Sequence, residues 1–405
     1  MSDLSYMEKL LDGVEVEWRE LGSALVRTKG TNITARRMKT LHKEYAPLKI
    51  FAGGRTVAFV DFKDIPEKDI NRKPSIIVKS RGVIGFEYYA KPFSHKNEMW
   101  SYHSTNKDIN IEYVYYYLKT KESYFQGLAS RMQMPQISTR DTDKLPIPIP
   151  PIRIQNEIVR ILDTFTELTA ELTAELTARQ QQYAYYREQL FNAEDKGSEW
   201  KTLGEITKKW YSGGTPRAGN PEYYEGGNIP WLRTQEVKFN DIEETNVKIT
   251  PAALKNSSAK WIPENCVIIA ISGATAGRSA INKIPLTTNQ HCGCLEIDST
   301  KALYRYVFHW VSLNHDNIKA LGQGARGDLN SSIIKNFRIP IPYANDSDKS
   351  LSEQARIVTI LDKFHALTTS LTEGLPREIE LRQQQYEYYR DLLLSFPKPE
   401  VVAHD

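Results

Sequence analysis

The sequence predicts an α+β protein built twice, as two tandem α+β domains separated by two long coiled-coil-like helical segments in a circular, pseudo-twofold arrangement. Internal repeats, a 4/3 apolar spacing and strand-like runs predict it. Glu17-Trp18-Arg19-Glu20-Leu21-Gly22 returns as Glu199-Trp200-Lys201-Thr202-Leu203-Gly204, and Ile147-Pro148-Ile149-Pro150 as Ile339-Pro340-Ile341-Pro342. Ile158 to Asp163 returns as Ile357 to Asp362, and RQQQYAYYREQL (179–190) as RQQQYEYYRDLL (382–393), so a unit of about 190 residues occurs twice. Apolar residues recur at alternating steps of four and three in two stretches, as in a coiled-coil seam. Between these stretches, strand-like runs such as Pro74-Ser75-Ile76-Ile77-Val78 and Cys266 to Ile271 alternate with turn-rich segments such as Ser212-Gly213-Gly214-Thr215-Pro216.

Composition sets the bounds. The chain has 405 residues, of which 40% are hydrophobic, enough for more than one core. No apolar run approaches the roughly 18 residues of a membrane span, and MSDLSYMEKLLDG lacks a basic-then-apolar signal pattern. A cytoplasmic protein is expected. Three cysteines are too few for a disulfide framework. In His291-Cys292-Gly293-Cys294 the ligands would be crowded and no second pair follows, so the cysteines read as buried strand residues and no metal site is expected.

In chain order, residues 1–12 form a short helical segment. Tyr6-Met7-Glu8-Lys9-Leu10 mirrors Tyr186-Arg187-Glu188-Gln189-Leu190, so this segment is expected to pack near the C-terminal helix. The first α+β domain follows at 13–151, the first helical spacer at 152–195, the second domain at 196–350, the second spacer at 351–396 and a tail at 397–405.

The first spacer carries its stripe on Ile154, Ile158, Ile161, Phe165, Leu168, Leu172 and Leu176, then Tyr183, Tyr186 and Leu190. One extra step of four, between Leu172 and Leu176, is a stutter. The second spacer runs Ile357, Ile360, Phe364, Leu367, Leu371, Leu375, Tyr386, Tyr389 and Leu393. Such stripes are most economically buried on each other. Gly374-Leu375-Pro376 should break or kink the second spacer, with Pro376 in the first turn of the second piece. TELTAELTAELTAR (166–179) repeats good helix formers. Four added residues turn a helix by about 400° and lengthen it by about 6 Å, which keeps the seam in place. The repeat therefore has the properties of an adjustable ruler.

The net charge of +3 hides a partition. Residues 152–195 hold 4 basic and 8 acidic side chains and 351–396 hold 5 and 7, whereas 13–151 hold 23 basic against 15 acidic and 196–350 hold 19 against 15. Cationic domains with acidic spacers point to phosphate contact by the domains. Arg27, Lys29, Arg36, Arg37, Lys39, Lys43, Lys49 and Arg55 crowd one segment against Glu44 alone. Two turns after strand-like runs could also read base edges: Lys79-Ser80-Arg81-Gly82 and the stretch from Ser272 through Thr275 to Arg278. The expected DNA-binding set is Lys29, Arg36, Arg37, Lys39, Arg55, Lys79, Ser80, Arg81, Arg131, Gly213, Thr215, Arg217, Arg233, Ser272, Thr275, Arg278, Asn289 and Arg326.

No phosphate loop, HExxH, GxSxG elbow or kinase-like set occurs, so no catalytic residue is assigned. Phe51-Ala52-Gly53-Gly54 lacks the strand, helix and acidic residue of a cofactor-binding turn. Asn220-Pro221-Glu222-Tyr223 falls short of the Asn-Pro-Pro-aromatic tetrapeptide of adenine methyltransferases.

The duplicated unit, the IPIP run leading into Gln155-Asn156-Glu157-Ile158-Val159, the TAEL tetrapeptides and TEGLPREIELRQQQYEYYRDLLLSFPKPE (372–400) resemble the DNA specificity subunit of type I restriction-modification enzymes, in the subgroup called type IC. Ser212 to Pro216 and Asn228-Ile229-Pro230-Trp231-Leu232 resemble the family too, and the match covers about half of the chain. The resemblance implies two target recognition domains, each reading half of a split sequence in double-stranded DNA, and antiparallel spacer helices that set the gap. It implies a chain without cofactor. Two modification subunits would use S-adenosylmethionine to methylate adenine N6, and restriction subunits would use ATP and Mg2+. Tyr183, Tyr185, Tyr186, Tyr386, Tyr388 and Tyr389 are plausible docking positions or simply the end of the seam. A coiled-coil scaffold with two protein-binding domains is the rival reading.

Overall fold

The computed structural model describes residues 13–14, 16–54, 56–129, 135–192, 197–323, 327–369 and 373–396. It divides into two compact units, Met1–Ala170 with Leu381–Asp405, and Glu171–Glu380. These limits fall inside helices, so each unit holds part of both helical segments along with its α+β part. The composition changes near 151 and 350 do not coincide with the limits of the compact units. The segment 1–12, expected beside the C-terminal helix, and the tail 397–405 lie outside the described residues.

In the first unit β1 (Glu17–Glu20) pairs with β9 (Pro146–Ile149) as an antiparallel ribbon, Trp18 opposite Pro148. The two motifs that recur in the sequence are therefore partners. A four-stranded sheet has the order β2 (Val26–Lys29), β8 (Trp100–His103), β5 (Ser75–Lys79), β6 (Gly85–Tyr89). A three-stranded sheet has β4 (Val57–Val60), β3 (Leu48–Phe51) and β7 (Phe93–His95), with β3 and β7 parallel. Strand β5 reads as an unbroken apolar run because both its faces are covered. Ile76 and Val78 enter the core beneath the helix α2 (Ile111–Thr120), while Ile77 packs with Phe51, Phe93 and Met99. Each such side chain contributes about 1.5–3 kcal/mol by leaving water. The short helix α1 (Ala35–Leu41) is capped by Thr34, whose hydroxyl accepts from the Arg37 N–H, and is anchored by buried Met38.

The second unit repeats this design. β10 (Glu199–Thr202) pairs with β19 (Arg338–Ile341) in the same register, Trp200 opposite Pro340. The larger sheet has the order β11 (Thr207–Ser212), β18 (Cys292–Ile297), β15 (Val267–Ala270), β16 (Ser279–Asn282), with β13 (Asp241–Ile242) as an added edge. The smaller has β14 (Lys248–Ile249), β12 (Ile229–Leu232) and β17 (Thr287–Thr288), with β12 and β17 parallel. Val267 and Ile269 face one core while Ile268 and Ala270 face another, as in β5. The shared details extend to side chains. Tyr113 Oη donates to the Pro148 carbonyl at 3.0 Å, and Tyr306, on helix α4 (Tyr304–Leu313), donates to the Pro340 carbonyl at 2.7 Å. Cys292 and Cys294 lie in β18 and Cys266 just before β15; all three are buried. Burial pushes the Cys266 and Cys292 thiols up to about 12 and holds Cys294 well above its ordinary value.

The helical segments are α3 (Ile152–Phe191), α5 (Ser347–Thr369) and α6 (Gly374–Leu393). The threonines of the TAEL stretch bond back to the helix, Thr169 Oγ1 donating to the Phe165 carbonyl at 2.8 Å and Thr177 Oγ1 to the Thr173 carbonyl at 2.9 Å. The first turns correct the expected seam. Ile154, Ile158, Val159 and Leu162 are buried in the α+β core of the first unit, and Ile357 and Leu361 in that of the second. Leu162 and Leu361, one position beyond Ile161 and Ile360, take the deepest places because these turns face a domain. Helix meets helix through aromatic rings, Phe165 on Tyr389 at 5.4 Å within the first unit and Tyr186 on Phe364 at 5.6 Å within the second. Leu168, Leu172, Leu176, Leu367 and Leu375 are half-buried; Leu371 lies outside the described residues. The break before Pro376 falls where the sequence places it. Gly374 has φ +78°, and a Cβ there would stand 2.5 Å from the Ala366 carbonyl, so glycine is required. No described helix is long and apolar enough to cross a membrane.

Candidate nucleic-acid interface

In each unit one edge of the larger sheet gathers loops from distant parts of the chain. β2 and β5 run antiparallel to β8, so the C-terminal ends of the first two meet the N-terminal end of the third. The turn after Lys29, the turn Ser80-Arg81-Gly82 and the segment from His95 to Met99 are thereby neighbours. The Thr31 N–H donates to the His95 carbonyl at 2.7 Å and the Ile137 N–H to the Ser80 carbonyl at 3.0 Å. Gly30 allows this approach, since a Cβ there would stand 2.2 Å from the His95 carbonyl oxygen.

The same junction recurs in the second unit, where β11 and β15 run antiparallel to β18. The Gly214 N–H donates to the Thr288 carbonyl at 2.9 Å, and the Leu329 N–H to the Ile271 carbonyl at 2.8 Å. Ser272 Oγ and His291 Nδ1 are 2.7 Å apart, and Thr215 Oγ1 donates to Gln290 Oε1 at 2.6 Å. Asn289 ties in β12, its N–H donating to the Leu232 carbonyl at 3.2 Å. Arg233 follows at once, half-exposed, with its Nε 3.8 Å from the Glu236 carboxylate.

The expected DNA-binding residues divide by what they touch. Lys29 and Arg81 are exposed at the first edge, and Arg36, Arg37 and Lys39 are exposed on α1. At the second edge Thr215 and Arg217 are exposed, with Ser272, Thr275 and Arg278 half-exposed. None of these seven cations forms an ion pair among the described residues. Other basic side chains of the crowded segment are already paired: Arg27 with Asp143 at 2.5 Å, Lys43 with Asp61, and Lys49 with Glu87 at 3.3 Å. Lys79 reaches Glu87 at 2.6 Å. Burial pushes the Glu87 carboxyl up, but these two ammonium groups outweigh it and hold it below its ordinary value.

Three expected readers are engaged within the fold. Ser80 is buried with its hydroxyl donated to the Glu98 carbonyl, so it braces its turn. Asn289 is buried and its Oδ1 accepts from the His291 N–H at 3.0 Å. Gly213 serves close packing, since a Cβ there would stand 1.7 Å from the Thr288 carbonyl oxygen. Arg55, Arg131 and Arg326 lie outside the described residues. Gln290 and exposed His291 were not foreseen, because only their pairing with Thr215 and Ser272 places them at this edge. No group of His, Cys, Asp and Glu able to hold a metal occurs among the described residues.

Two sheets of matching order, each with a loop edge whose exposed cations form no ion pair among the described residues, define a duplicated α+β protein. The profile of the type I restriction modification DNA specificity domain matches residues 33–179 and 196–381. The chain is 40% identical to the Escherichia coli type I restriction enzyme EcoR124I/EcoR124II specificity subunit over the full length of both. It is 31% identical to a putative type I restriction enzyme specificity subunit of Haemophilus influenzae, covering 97% of this chain and 98% of that one. The fold matches the crystal structure of the type I restriction-modification S subunit from M. genitalium with a TM-score of 0.64 at 16% identity, over 96% of this chain and 98% of that one. The chain belongs to the family of type I restriction-modification DNA specificity subunits.

Proposed function

We propose that the chain reads a bipartite target in double-stranded DNA, one half-site per unit, with an unspecified spacer of fixed length between them. The observation that carries this reading is the duplicated loop edge, with Lys29 and Arg81 in one unit and Arg217 and Arg278 in the other forming no ion pair among the described residues. Guanidinium groups can grip phosphates or bond guanine edges in the major groove. The chain acts as the non-catalytic address of a larger enzyme. Two modification subunits methylate adenine N6 with S-adenosylmethionine, and restriction subunits cut DNA with ATP and Mg2+. The methylated base must leave the stack to be reached, so the chemistry sits with the partner while this chain fixes where it happens. The TAEL stretch of α3 tunes the spacer.

A scaffold that binds proteins through the same edges is the alternative, and salt separates the two. Binding of the full chain to duplexes with a randomised core should enrich one split motif and weaken steeply as salt rises, with a log-log slope near −0.9 per phosphate contacted. Binding without sequence preference or without salt dependence contradicts the proposal.

A further inference from the structure

Trp261 is 48% exposed and makes no hydrogen bond or ring contact among the described residues. Its loop is nevertheless firmly held. Ala259 and Ile262 on either side are buried, and the Ile262 N–H donates to the Leu286 carbonyl at 2.8 Å. The loop therefore presents an indole to solvent from a fixed backbone, which leaves a large apolar surface in water at a cost unless something covers it. Lys255 and Lys260 nearby are both exposed and form no ion pair among the described residues; the exposed carboxylate closest in sequence is Glu264. The loop also adjoins the second unit's loop edge. A Cβ at Gly214 would stand 1.9 Å from Ser258 Oγ, and the Trp231 indole N–H donates to the Gly214 carbonyl at 3.1 Å. Thr215, bonded to Gln290, follows immediately.

We infer that Trp261 is a DNA-contacting residue of the second unit, its ring packing against base edges or sugars of the duplex beside the half-site while Lys260 meets a phosphate. The inference rests on the DNA-reading function proposed above. The exposed Lys260 next to the ring and the continuity with the loop edge select DNA as the occupant over a protein, because an exposed aromatic ring beside a cation suits a polyanion with apolar base surfaces.

The test uses the full chain and a duplex bearing the motif that the wild-type chain enriches from the randomised pool. Trp261→Ala should weaken binding roughly tenfold, as expected of an interface tryptophan, with the salt slope unchanged. Trp261→Phe should retain most of the affinity. Lys260→Ala should lower the slope by about 0.9. An unchanged thermal midpoint in Trp261→Ala shows that the exposed side chain is not needed for folding. Wild-type affinity in Trp261→Ala overturns the inference while leaving the DNA-reading function standing. If the wild-type chain enriches no motif, that function fails and the inference fails with it.

Discussion

Residues at equivalent positions in the two units hold the helices by different chemistry. Tyr116 Oη donates to Asp163 at 2.6 Å in the first unit. In the second, Asp362 meets His309 Nε2 at 2.7 Å and Arg305 at 2.6 Å, and Arg305 also reaches Asp241 at 2.7 Å. His365, where the first unit has Thr166, packs edge-on against Phe308 at 5.7 Å and His309 at 6.1 Å. Burial pushes the His365 imidazole down to about 4, helped by His309 and Arg305 and opposed by Asp241 and Asp362. An unfolded histidine titrates at roughly 6.5. As pH falls from about 6.5 toward 4, the unfolded chain takes up the proton first and the second unit loses stability. The loss is on the order of 2 kcal/mol at about pH 5. Burial lowers His309 as well and adds to the loss. Replacing His365 with threonine should flatten this dependence, which thermal unfolding at about pH 7.5 and 5 measures; equal falls in midpoint for both proteins contradict the assignment.

Elements show why some of the design is legible from sequence. The repeated motifs read plainly as repeats, and their pairing as ribbons, Glu17–Glu20 with Pro146–Ile149 and Glu199–Thr202 with Arg338–Ile341, is what the structure adds. Gln155 and Gln354 recur in the same way, each accepting the backbone N–H of the N-cap residue of the domain helix, from Asn110 at 2.8 Å and Leu303 at 2.9 Å. The shared sheet order was not legible. Ile76-Ile77-Val78 and Val267-Ile268-Ile269 need only be apolar on both faces, so the fold persists while the letters change. Ser80 and Asn289 misled because their hydroxyl and amide are satisfied by residues distant in sequence or by local turns, and Trp261 escaped notice because exposure depends on where its loop is anchored. In α3, Leu168, Leu172 and Leu176 repeat every fourth position, so deleting Thr173–Leu176 removes about 6 Å of helix and nearly preserves the apolar face. The account predicts a spacer shorter by one or two base pairs, at ~3.4 Å each, with both half-sites retained. Altered half-sites with an unchanged spacer, read from the methylated sequence, contradict it.

At the scale of the whole molecule, each unit has its own sheets, cores and loop edge, so the two halves of the target should be separable properties of one chain. The surplus of basic residues lies in the α+β parts and the surplus of acidic ones in the helical segments, which matches the proposed division between phosphate contact and structural support. The central claim is that this chain supplies the address and its partner the chemistry. The measurement that tests it most directly is a map of N6-methyladenine across the genome of cells carrying this chain with its modification partner, against cells carrying the partner alone. The account predicts a split motif with one fixed gap that appears only when this chain is present. The same methylated sites with and without this chain, or no split motif although the two proteins purify together, would contradict it.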